Sequence, residues 1–152
     1  MKEEKPKKKG KQQFYVEMTF TTPACPLINF IESNIRQKLD EIKKNYNITD
    51  DPAGRALVGL SSGGICAFNA AWQRPDNFGK VISHCGGFFN IRGGDKFPEM
   101  IRMSAKKPIR VFLQSGESDL NLVWGYLALK NKEMASALEY SGYDYKFVFG
   151  EG

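Results

Sequence analysis

The chain has 152 residues, of which 41% are hydrophobic and 26% charged. That balance describes one globular domain with its own core, and no apolar run is long enough for a membrane-spanning helix. The net charge of +5 belongs to the first residues: positions 1–12 hold six lysines and two glutamates (+4), and the other 140 hold 16 basic and 15 acidic groups (+1).

This basic arm, residues 1–12 with Pro6 and Gly10, reads as disordered. Lys7, Lys8 and Lys9 have no aromatic or arginine partners, so a solubilising role outweighs nucleic-acid binding. No apolar stretch follows, so no secretory signal is visible, and a cytoplasmic location is slightly favoured. From Gln13 to Thr21, Phe14, Val16, Met18 and Phe20 alternate with polar residues, the pattern of a half-buried strand. Leu27–Asn45 reads as a helix, because Ile28, Ile31, Ile35, Leu39 and Ile42 recur at helical spacing. Thr49–Gly54 is a turn.

Arg55–Val58 is a short apolar strand, and Gly63–Trp72 is a helix with Pro75 beyond its end. Between them runs Gly59-Leu60-Ser61-Ser62-Gly63, the G-x-S-x-G pattern of a nucleophile elbow with Ser61 at its centre. A serine on a sharp strand-to-helix turn needs flanking positions without a Cβ, which predicts close backbone approach at Gly59 and Gly63. Centring on Ser62 would need glycine at position 60, which is Leu60.

Lys80–Cys85 is the next strand, followed by a loop from Gly86 to Gly94 that carries Phe88, Phe89 and Arg92. Ile109–Gln114 is a third strand. Just after it, Asp119 occupies the place of an acid that orients a histidine, with Glu117 in reserve. Leu120–Tyr126 is an apolar loop, Leu127–Tyr140 a helix, and Tyr145–Phe149 the last strand. Strands alternating with helices predict an α/β fold with a mostly parallel sheet flanked by helices. The three cysteines, Cys25, Cys66 and Cys85, include no C-x-x-C pair, so no disulfide framework or metal site is expected. No cofactor is expected either. The sole histidine, His84, precedes Asp119, whereas this type of elbow uses the order serine, acid, histidine.

From about Asn45 to Gly152 the chain resembles the esterase family of the α/β-hydrolase fold, which includes enterochelin esterase-like, feruloyl esterase-like and esterase D-like enzymes. The resemblance rests on Lys44–Ile48, Gly54–Gly64, Ser83–Gly86 and Phe147–Gly152. It implies a partial α/β-hydrolase domain over residues 13–152, cut or remodelled at both ends. It also implies hydrolysis of a small-molecule carboxylic ester through an acyl-enzyme on Ser61. Asp119 would be the triad acid and the backbone N–H of Ser62 an oxyanion donor. Phe88, Phe89 and Trp124 are expected to line the substrate site. In the family a Gly-His pair follows the last strand, and its histidine is the base. That pair is absent here, so the chain as given is expected to be inactive or nearly so. The alternative is a noncatalytic binding module on the same fold. Oligomeric state is open.

Overall fold

The computed structural model describes Gln37, Glu41, Ile42, 44–90 and 93–151. The basic arm and the strand read at Gln13–Thr21 lie outside these residues. Of the helix read at Leu27–Asn45, Gln37, Glu41, Ile42, Lys44 and Asn45 are helical, and the rest lies outside.

The elements alternate as the apolar periodicity predicts. In chain order they are β1 (Ala56–Leu60), α1 (Ser62–Gln73), β2 (Lys80–His84), α2 (Phe97–Met103), β3 (Arg110–Gly116), β4 (Asn121–Leu122), β5 (Gly125–Tyr126), α3 (Leu127–Tyr140) and β6 (Asp144–Gly150). Among the described residues, four strands form one sheet in the order β1-β2-β3-β6, and each neighbouring pair of them is parallel. Parallel neighbours need crossovers, and α1, α2 and α3 lie in them. The short β4 and β5 pair antiparallel as a separate hairpin.

Register explains the core. Leu57, Val81, Val111 and Tyr145 lie level across the four strands, and Leu113 lies level with Phe147. Successive side chains alternate between faces, so this set points to one side. There it meets Phe68, Ala71 and Trp72 of α1, Phe97 and Ile101 of α2, and Met134 and Leu138 of α3 in a single cluster. Lys80, Ile82 and His84, with Arg110, Phe112 and Gln114, belong to the opposite face.

Phe68 stands at the centre of the cluster. Its ring is 5.0 Å from Phe97 and 6.0 Å from Phe88, both edge-on, and 5.8 Å from Trp72 in a stack. These separations suit attractive aromatic pairs.

The structure adds two elements to the sequence reading. The stretch beyond the Gly86–Gly94 loop folds as α2, with Pro98 in its first turn. The apolar loop after Asp119 folds as the β4–β5 hairpin. β1 continues two residues past Val58 and β3 two past Gln114, which carries both strands further toward one edge of the sheet.

Because Phe68 is fully buried and shared by three aromatic neighbours, Phe68→Ala should destabilise the fold by about 3–5 kcal/mol. Urea unfolding of the two chains measures this. A loss below about 1 kcal/mol would show that the cluster collapses without cost.

Candidate active site

Parallel strands present their carboxyl ends on one edge, and Ser61, Cys85 and the turn to Asp119 follow β1, β2 and β3 there. Two strand spacings separate the ends of β1 and β3, roughly 10 Å.

Ser61 links β1 to α1 with φ 54° and ψ −115°. A side chain in such a conformation costs about 1–3 kcal/mol, so the surroundings must impose it. They do so through both backbone groups of Ser61. Its N–H donates to His84 O at 2.9 Å. Its carbonyl accepts from Gly64 N–H at 3.0 Å, Ile65 N–H at 3.4 Å and Gly87 N–H at 3.1 Å.

The glycines around it do different work. A Cβ on Gly59 would sit 2.0 Å from Gly63 O, so Gly59 cannot carry a side chain. At Gly63 a Cβ would meet nothing within 4 Å. The residue after it is the one that needs to be glycine, since a Cβ on Gly64 would sit 2.4 Å from Ser83 Oγ. This corrects the expectation that Gly63 makes the room.

Ser61 itself is exposed, and among the described residues its hydroxyl caps nothing. The N–H of Ser62 opens α1, where helix amides lack intrahelical acceptors and the dipole favours negative charge.

Asp119 closes a turn beyond β3. Its Oδ2 accepts from Ser115 Oγ at 2.5 Å and from Gly116 N–H at 2.8 Å. The turn is tied to the end of β6, because Glu117 N–H donates to Gly150 O at 2.9 Å. Partial burial pushes the Asp119 carboxyl up. The hydrogen bonds from Ser115, Gly116 and the Cys85 thiol outweigh that, so the group sits below the usual carboxylate range. Burial, then Asp119, pushes the Cys85 thiol up, and burial does the same at Cys66, so both stay protonated near neutrality. Cys85 also has a left-handed backbone, φ 45°, which nothing in its sequence neighbourhood foretells. Glu117 is exposed on the same turn.

His84 ends β2 on the sheet face that carries Lys80 and Ile82. Its Nδ1 lies 2.5 Å from Gln114 Oε1, and its ring meets Phe112 edge-on at 6.1 Å. With an amide oxygen as acceptor, Nδ1 carries the hydrogen.

Two of the expected substrate contacts are core residues. Phe88 is 0% exposed, and its ring packs edge-on against Phe68 and Phe97. Phe89 is 6% exposed. A Cβ built on Gly87 or Gly125 would stand 3.4 and 3.5 Å from its ring, so Phe89 is wedged between those two backbones. Both rings gain more from burial among apolar neighbours than from lining an open edge. Trp124 differs: it is 51% exposed at the turn of the β4–β5 hairpin, beside Val123 at 91%. Among the described residues, no group of three or more His, Cys, Asp or Glu stands close enough to hold a metal ion, and no helix is long and apolar enough to cross a membrane.

Known proteins share this architecture. A ferulic acid esterase superposes with TM-score 0.63 at 20% identity, over 81% of this chain and 52% of its own. The enterobactin esterase FES from Shigella flexneri, solved with 2,3-di-hydroxy-N-benzoyl-glycine, superposes with TM-score 0.65 at 20% identity, over 82% of this chain and 33% of its own. Protein YbbA of Bacillus subtilis (strain 168) is 26% identical over 120 residues, 76% of this chain and 46% of that protein. The chain therefore spans about half, or less, of the length of these relatives. Its sequence matches the family described as "Putative esterase" over residues 5–148. With its parallel sheet, flanking helices and strained serine between β1 and α1, the chain belongs to that esterase family, on the α/β-hydrolase fold.

Proposed function

We propose that this chain carries the nucleophile and acid of a serine ester hydrolase acting on small carboxylic esters. The observation that carries the reading is Ser61: exposed, held at φ 54° and ψ −115°, with its hydroxyl free of any capping role. A protein keeps a side chain in that conformation only where surrounding contacts enforce it, and such strain collects at reactive sites.

In this reading Ser61 Oγ attacks the ester carbonyl carbon while a base takes its proton. The carbonyl oxygen becomes an oxyanion held by Ser62 N–H at the positive end of α1. Collapse expels the alcohol and leaves the acyl group on Ser61, and water then hydrolyses that ester by the reverse sequence. Asp119 orients the base and stabilises its cation, for which it must be ionised, and its depressed pKa supplies that. The exposed apolar hairpin around Trp124 offers a surface for the acyl group. The names of the ferulic acid esterase and of the enterobactin esterase solved with an N-benzoyl-glycine favour an acyl part that bears an aromatic ring.

His84 is not the base in this proposal. Its Nδ1 is engaged by Gln114 and its ring by Phe112, on the sheet face. Without a neighbouring imidazole, Ser61 stays protonated and weakly nucleophilic. That same observation favours the second reading, a noncatalytic binding module.

The 152-residue chain should therefore hydrolyse short-chain aryl esters barely above background. A variant with a Gly-His-bearing extension after Gly152 and a glycine-rich oxyanion loop before the domain should gain turnover that Ser61→Ala abolishes. Neither turnover nor fluorophosphonate capture of Ser61 in that variant would favour the binding module. Turnover by the unextended chain at about 1 per second or faster, removed by His84→Ala, would make His84 the base.

Asp119 also makes a pH prediction. A carboxyl whose pKa is lowered by folding stabilises the fold fully above its unfolded value, about 3.9. That contribution fades as pH falls through the lower folded value. Asp119→Asn should thus destabilise the chain at pH 7 and close the gap to wild type in strong acid. A gap that stays constant from pH 7 to pH 2 would refute the assignment.

A further inference from the structure

Asn131 is the feature that neither the core nor the proposed chemistry explains by itself. It is 0% exposed in the middle of α3, among Leu127, Ala128, Met134 and Ala135. An apolar side chain would suit that place, because a buried amide must find partners. Its Nδ2 donates to Leu127 O, one turn back in its own helix, and to Gly86 O across the interior, each at 2.9 Å. Both partners are carbonyls, so the nitrogen is the atom that faces them. Its Oδ1 has no partner among the described residues.

The bond to Gly86 O is informative because of what shares that peptide. The carbonyl of Gly86 and the N–H of Gly87 belong to one planar trans unit and point in opposite directions. The Gly87 N–H donates to Ser61 O at 3.1 Å. A single rigid plane therefore has the Asn131 amide on one side and the strained serine on the other. The chain passes close to its neighbours here: a Cβ on Gly86 would stand 2.4 Å from both Ser83 Oγ and the Phe88 ring, so no side chain fits at that position. Hydrogen bonds in such a relay also polarise one another.

We propose that Asn131 is the positioning residue of Ser61. Its buried amide fixes the Gly86–Gly87 peptide so that the Gly87 N–H pins the Ser61 carbonyl in the left-handed elbow. The functional weight of this role rests on the reading of Ser61 as nucleophile. The geometric role does not. The same helix begins directly after β5, on the acid side of the edge, so Asn131 also ties that side to the nucleophile.

The test uses the isotopically labelled 152-residue chain in solution and needs no turnover. In wild type, a scalar coupling should be measurable across the bond from Gly87 N–H to Ser61 C=O. Asn131→Ser keeps a hydroxyl able to bond Leu127 O but too short to reach Gly86. In that variant the coupling should vanish, the Ser61 carbonyl carbon should shift, and Gly87 amide exchange should accelerate at least tenfold beyond Val81 and Leu113. Met134→Ala, further along α3, should speed all three amides by a common factor. If Gly87 in Asn131→Ser follows the common factor and the Ser61 carbonyl does not move, Asn131 is only a packing residue and the proposal fails. Should Asn131→Ser not fold, the wild-type measurement decides: fast Gly87 exchange with no coupling to Ser61 overturns the proposal. A failed ester assay with these signals as expected would count against the hydrolase reading alone.

Discussion

The structure turns on one carbonyl group. Ser61 O accepts three N–H donors, two from the first turn of α1 and one from Gly87 beyond β2. An L-residue does not choose positive φ unaided. The local pair of bonds starts the helix, and the distant one fastens that start to the neighbouring strand's loop. Remove the distant bond, and the Ser61 carbonyl keeps only its two helix donors among the described residues, leaving the Ser61 N–H bond to His84 O to tie the turn to β2.

The sheet and helices were legible from the sequence because periodicity and breakers agreed. Leu127–Tyr140 is apolar at helical spacing and is α3 at those bounds, and the sharp turn at Ser61 was legible because strand, serine and helix came in order. What escaped detection had weaker local signals. The start of α2 is hidden by a glycine-rich stretch, although Phe97, Met100 and Ile101 recur at helical spacing beside Pro98. Phe88 and Phe89 looked like loop aromatics. Their burial depends on Phe97 and Gly125, distant in sequence, so no local pattern could place them. The role of Gly64 was hidden for the same reason, since its constraint is Ser83 on the next strand. Nothing in the spelling of Ser83-His84-Cys85 announces a left-handed cysteine.

The site is also uneven in how it is held. The serine side is strained and enforced by backbone groups throughout. The Asp119 side is a turn held by the residue's own carboxylate, which accepts from Ser115 and Gly116 while facing the Cys85 thiol. Asp119 thus both shapes its turn and carries its charge, and a substitution there acts on two properties at once. At Ser61 the two properties are separate: among the described residues its hydroxyl caps nothing, so Ser61→Ala leaves the backbone hydrogen bonds of the turn in place.

The tie between Glu117 N–H and Gly150 O has a consequence for the order of assembly. Among the described residues, the backbone contacts of Ser61 lie between residues 59 and 87, with the Asn131 side chain reaching Gly86 from α3. The Asp119 turn is closed by a strand 33 positions further on, counted from Glu117 to Gly150. On a chain made from its N-terminus, the contacts around Ser61 are available while the last one of the Asp119 turn is still unmade. Loop closure to β6 spans the whole of α3, so it is the slower of the two events. The two halves of the edge are therefore joined late, by β6, and a chain still short of β6 holds the Ser61 turn facing an open Asp119 turn.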